Sequence, residues 1–165
     1  MDASGWIARL GLAPHPEGGH YREVYRSIEL IPAAGLPAGF GGTRAFATSI
    51  YYLLRDEEVS LFHRLRSDEL WSFHLGSRLT IAVIRPNGRL DEIRLGRHSE
   101  EGEVLQAVLP AGHWFGAWVG RPGAFALAGC FMSPGFDPAD FELAGRRDLL
   151  GRYPGHRQVI LRLTR

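Results

Sequence analysis

No lysine occurs anywhere in the chain; all 19 basic residues among its 165 are arginines. Without a side-chain amine there is no Schiff base, which excludes pyridoxal-phosphate and lysine-aldolase chemistry. The phosphate-binding lysine of a P-loop is missing as well, together with its glycine spacing. Every cation is a permanently charged planar fork, suited to clamping anions and useless as a base near neutral pH. A single cysteine, Cys130, excludes an internal disulfide and a cysteine-rich zinc motif, and reads as a small buried apolar residue. The longest apolar stretch, Gly123 to Phe136, is too short and too rich in glycine and proline to span a bilayer. The N-terminus lacks the charged-then-apolar layout of a signal peptide, so the expectation is a soluble, cytoplasmic protein. Serine-hydrolase, dinucleotide-binding and His-Glu-x-x-His signatures are also missing.

The net charge of +1 and the scattered arginines argue against a nucleic-acid or membrane surface. Hydrophobic residues at 45% and charged ones at 22% are ordinary values for a globular protein, and the length predicts one domain over 1–165. Ser4 is placed to cap a short helix carrying Trp6, Ile7 and Leu10, with Gly11 ending it. The segment Ala13-Pro14-His15-Pro16-Glu17-Gly18-Gly19 cannot be regular, because two prolines fix the backbone and two glycines release it. His20 to Ser27 reads as extended, and Glu29 to Gly42 as a surface loop.

From Arg44 onward strand signals are dense: Ala45 to Leu54, Val59 to Leu65, Glu69 to Leu75, Leu79 to Ile84, Leu90 to Leu95, Val104 to Leu109, His113 to Val119 and Ala124 to Met132. Pro86-Asn87-Gly88 is a strong hairpin turn. About nine short strands with regular turns predict an all-β sandwich or barrel. Asp140 to Leu143 and Asp148 to Tyr153 read as short helical turns, and Gly155 to Leu163 fits either a helix or an edge strand.

The stretch Phe62-His63-Arg64-Leu65 through Glu69, Trp71 and Gly76 resembles the first cupin motif. His63 takes the first histidine position, Glu69 the glutamate and Gly76 the closing glycine, while Leu65 stands where the second histidine belongs. Pro110-Ala111-Gly112-His113-Trp114-Phe115 is similar to the second motif, with Phe115 at its metal-histidine position. Five ordered segments narrow the resemblance to the cupin-5 (DUF985) family: Leu12 to Gly19, Ser49 to Leu54, Phe62 to Arg64, Ser67 to Trp71 and Ser133 to Phe136. That resemblance implies a double-stranded β-helix (jelly-roll barrel) with short helices at both termini, an internal pocket and a homodimer. It implies no settled reaction, and at the level of fold it is similar to sugar-nucleotide epimerases and sugar isomerases.

Strand alternation puts His63 and Leu65 on one face, and Glu69, Trp71 and Phe73 on one face of the next strand. A typical cupin centre uses three histidines and one glutamate, and two of those positions are hydrocarbon here. His113 lies roughly 7 Å from Phe115 along the strand, too far to substitute without a bulge. The reading therefore assigns no metal and no cofactor. Glu69 and His63 become the candidate catalytic pair, facing one another in an apolar pocket that brings both toward neutral pKa values. Glu17, Trp71, His113 and Phe115 are the candidate contacts for a small-molecule ligand, carbohydrate being the class favoured. Glu17 sits on a stiff-then-flexible loop suited to closing over a pocket mouth. Arg22, Arg26 and Arg44 are candidates for an anion clamp there, and His15, His20, His98 and His156 are read as solvated. Three functions stay open: a metal-independent isomerase or epimerase, a non-catalytic binder, and a metal-dependent enzyme with a further ligand.

Overall fold

In the computed structural model, which describes residues 1–165, two antiparallel sheets face each other. The strands are β1 (Ala13–Pro14), β2 (His20–Arg26), β3 (Leu30–Ile31), β4 (Arg44–Ala45), β5 (Thr48–Arg55), β6 (Val59–Leu65) and β7 (Glu69–Gly76). They continue as β8 (Leu79–Ile84), β9 (Leu90–Leu95), β10 (Gln106–Leu109), β11 (Trp114–Val119), β12 (Phe125–Met132) and β13 (Phe141–Leu143). One sheet runs β1-β2-β5-β12-β7-β10, the other β13-β6-β11-β8-β9, and β3 pairs with β4 apart from both. This is the jelly-roll barrel expected from the motifs.

Alternation decides what the barrel encloses. Tyr52, Leu54, Trp71, Ala128 and Cys130 from the first sheet meet Ile81, Val83, Phe115 and Ala117 from the second in one buried cluster. Fully burying a large side chain of this kind is worth roughly 2–3 kcal/mol. The opposite face of the second sheet carries Phe62, Ala82, Ile84 and Trp114, covered by α2 (Arg146–Arg152) and α3 (Arg157–Arg162) through Leu149 and Ile160. On the outer face of the first sheet, Leu53 and Leu127 pack under α1 (Ala3–Leu10). None of these helices is long and apolar enough to cross a membrane.

Several local expectations need correction. Asp2, not Ser4, caps α1, its carboxylate accepting from the Gly5 N–H at 2.8 Å; Gly11 ends the helix in the left-handed region as expected. The extended run from Ala45 divides into β4 and β5, because Phe46 leaves the sheet to donate to the Glu29 carbonyl at 3.2 Å. The Glu29–Gly42 loop contains β3 and a 3₁₀ turn at Ala33–Gly35. Asp140 to Leu143 is not helical: a 3₁₀ turn capped by Asp137 ends at Asp140, and β13 follows, paired with β6. The ambiguous tail resolves as helix α3.

Candidate functional site

A cavity of about 560 Å³ opens within the barrel, against the inner face of the six-stranded sheet. Its polar wall comes from β5, β6, β7 and the loop before β2: Tyr52, His63, Glu69, His15 and Glu17. Leu65, Trp71, Cys130 and Phe141 supply apolar surface.

Glu69 is 8% exposed, and its Oε2 accepts a hydrogen bond from the Trp71 indole N–H at 2.7 Å. Burial pushes its carboxyl up to about 7, with the Trp71 bond opposing the shift. His63 is 3% exposed, and burial lowers it to about 4. Its Nδ1 lies 2.7 Å from the Leu61 carbonyl oxygen, which can only accept, so Nδ1 carries the proton of the neutral ring. The same Nδ1 is 3.1 Å from Glu17 Oε2, and Phe115 packs edge-on against the ring with centroids 4.2 Å apart.

This geometry corrects the expected pairing. The carboxylate beside His63 is Glu17, and Glu69 is bound instead to Trp71. Glu17 is held well above the usual carboxylate range, first by burial and then by the negative charge of Glu69. The loop that carries it is not a flexible closure. Glu17 O accepts from Leu61 N at 3.0 Å, His15 N donates to Gly19 O at 2.8 Å, and the Tyr52 hydroxyl donates to Gly18 O at 2.8 Å. The loop is laced into the barrel wall between β5 and β6.

The remaining expectations divide. Trp71 lines the cavity as expected. Phe115 does not: it is 1% exposed and packs behind His63 and Trp71. His113 lies outside the cavity because the Pro110–Gly112 turn extends through it and β11 begins only at Trp114; its Nδ1 sits 3.2 Å from the Ala111 carbonyl. Of the three arginines, only Arg26 reaches the cavity, where Glu23 at 2.6 Å and the Phe136 carbonyl at 3.1 Å occupy its fork. Arg44 is buried against Asp140 instead. His15, read as solvated, is a cavity residue; it accepts from Glu17 N at 3.2 Å and burial lowers it to about 4. Tyr52 and Tyr21 were also missed, although the alternation of β5 and β2 places both inward. Cys130 is buried as expected and also borders the cavity, with burial pushing its thiol up.

These donors do not fit the three-histidine, one-glutamate centre common in cupins. Leu65 and Phe115 present only carbon where two histidines would stand, and no three His, Cys, Asp or Glu side chains converge as a ligand set.

Two antiparallel sheets rolled around an internal polar-walled cavity define a cupin. The chain belongs to the Cupin_5 family, described as Cupin superfamily (DUF985), whose profile matches residues 4–144. It is similar to protein SO0799 from Shewanella oneidensis at 42% identity, with a TM-score of 0.90 over 100% of this chain and 98% of that one. A hypothetical protein from Leishmania major matches at 37% identity and a TM-score of 0.89, over 99% of both chains. The uncharacterized protein YML079W of Saccharomyces cerevisiae is 31% identical over 107 residues, covering 61% of this chain and 53% of that protein, so the match spans about half the yeast relative.

Proposed function

We propose that the barrel cavity binds a small molecule, a carbohydrate derivative being the leading class, and moves a proton on it without a metal, as an epimerase or isomerase does. The observation that carries this reading is the pair of buried carboxyls, Glu69 and Glu17, in one cavity wall with unequal acidity. Near neutral pH Glu69 loses its proton first, and its charge keeps the proton on Glu17. One carboxylate is then a base while its neighbour is an acid, the division of labour needed to take a proton from carbon and return one to oxygen. Glu69 Oε1 is left free by the Trp71 bond to Oε2, and Glu17 Oε2 lies 3.1 Å from His63 Nδ1, whose proton is directed at the Leu61 carbonyl. His63 stays neutral beside the acid.

The test is hydrogen exchange in D₂O on a panel of aldoses and ketoses, followed by NMR at the carbon next to the carbonyl. Exchange by the wild type that disappears in Glu69→Gln supports the reading; a sugar that binds without exchange makes the protein a binder. The same variant has a stability signature. The folded state holds the Glu69 proton to about pH 7, against about 4.5 for an ordinary glutamate. Stability associated with the protonated carboxyl is therefore complete below pH 4.5 and is lost as pH rises through 7. Glu69→Gln, which mimics the protonated form, is expected to gain on the order of 2 kcal/mol over wild type at pH 8 and nothing at pH 4 in urea melts.

A homodimer is the proposed assembly. The outer face of the six-stranded sheet beyond α1 bears a register-aligned row, Tyr25–Ser49–Phe131–Leu70–Val108, in which Tyr25, Phe131 and Val108 are exposed. An apolar row of this kind suits a second copy of the same sheet. Sedimentation velocity is expected to give twice 18.3 kDa for the wild type and the monomer mass for Phe131→Glu; a monomeric wild type removes the proposal.

A further inference from the structure

The cavity wall is unbalanced in charge, and that restricts its ligand. Glu17 and Glu69 are each 8% exposed, yet both border the cavity. Trp71 satisfies only Oε2 of Glu69, so Oε1 has no protein donor. Glu17 has the Ser60 hydroxyl and, at 3.1 Å, His63 Nδ1 beside it, and the Nδ1 proton is directed at the Leu61 carbonyl. No free cation answers them. Arg26 is spent on Glu23 and the Phe136 carbonyl, and His15 and His63 are neutral at pH 7. A phosphate or carboxylate entering this space would meet two carboxyls and no unpaired positive charge. An ammonium would find Glu69 Oε1, an acceptor that nothing else in the protein fills. It would also find π-faces, since the rings of Tyr52 and Trp71 lie edge to face at 5.5 Å beside the carboxyls.

We propose that the ligand of this cavity carries a basic nitrogen, seated as an ammonium between Glu69 and Glu17 and against the rings of Tyr52 and Trp71. The inference rests on the reading of the cavity as a small-molecule site and narrows its substrate class to amines, amino sugars among them. It disfavours anionic ligands such as sugar nucleotides, because a diphosphate would face the Glu69 carboxylate with no unpaired cation to answer it.

Benzylamine, benzyl alcohol and benzoate form a near-isosteric cation, neutral and anion series. Their binding to the full chain is measured by calorimetry and ligand-observed NMR at pH 7 with EDTA present. Benzylamine is expected to bind at least about tenfold more tightly than benzyl alcohol, and benzoate not at all. Glu69→Gln should weaken benzylamine about tenfold while leaving benzyl alcohol unchanged. The inference is overturned if benzoate or benzyl alcohol binds as well as benzylamine, if none of the three binds the wild type, or if Glu69→Gln leaves benzylamine untouched. Proton exchange on an uncharged sugar without amine preference would sink this inference alone. Amine preference without exchange on any substrate would sink the acid–base reading alone.

Discussion

Replacing Asp140 with alanine is expected to cost about 3–5 kcal/mol of folding stability. The Asp140 and Arg44 side chains are 1% and 4% exposed, and the guanidinium meets the carboxylate through two hydrogen bonds of 2.5 and 2.7 Å. Arg44 also donates to the Thr43 carbonyl at 2.8 Å and lies 5.5 Å from the centroid of the Phe40 ring. Arginine cannot neutralise itself by losing its proton, so alanine at 140 strands a permanent charge in the interior. The penalty is that stranded charge rather than the net worth of the pair. Arg44→Met combined with Asp140→Leu, which removes both charges, should recover most of the loss. Urea denaturation of the two variants checks this; a single variant within 1 kcal/mol of wild type would show that water reaches Arg44. The consequence extends to the cavity. Asp140 ends the 3₁₀ turn that leads into β13, and its neighbours Pro138 and Phe141 both line the wall. Loosening the clamp should therefore weaken ligand binding even where the fold survives.

That clamp also shows where sequence reading reaches its limit. Arg44 and Asp140 are far apart in the chain, and nothing local in either segment announces the partner. Strands set by short-range rules were legible to the residue. Leu79–Ile84 and Leu90–Leu95 flank a Pro-Asn-Gly turn in which Gly88 adopts φ 84° and donates to the Arg85 carbonyl at 2.8 Å. Segments whose state depends on a tertiary partner were not. Asp140 to Leu143 looks helical by itself and becomes strand because β6 offers an edge. The site follows the same division. Motif spacing and alternation placed Glu69, His63 and Trp71 in the barrel wall. The pairing of His63 with Glu17 depends on a loop laid between two strands, and so does the burial of His15. The expected roles of His113 and Phe115 failed for a geometric reason. Phe115 pairs directly with His63 across the β11–β6 ladder, which sets its ring against the imidazole, and β11 begins only at Trp114. Phe115 remains inward but behind His63, and His113 is left in the preceding turn.

Gly18→Ala is expected to remove about 3 kcal/mol of stability and to disable the cavity together with the fold margin. Gly18 has φ 105°, a conformation that costs an alanine on the order of 1–3 kcal/mol before any contact is considered. The added Cβ would also fall on the Val59 carbonyl oxygen, a backbone atom of β6 that cannot rotate away. The loop must then lift from the barrel. Lifting it breaks the Tyr52 hydroxyl bond to Gly18 O and the Leu61 N bond to Glu17 O. The carboxyl of Glu17 leaves with them, so Glu69 loses the neighbour whose proton it retains. Gly41→Ala is the control, since Gly41 has no left-handed backbone and open space around its would-be Cβ; its effect should stay within about 0.5 kcal/mol. If Gly18→Ala melts like wild type, the loop is free to move and the view of Glu17 as a fixed wall residue is wrong. If it melts early but still favours benzylamine over benzyl alcohol to the wild-type extent, Glu69 alone supplies the charge recognition, and Glu17 belongs to the barrel's structure rather than to its chemistry.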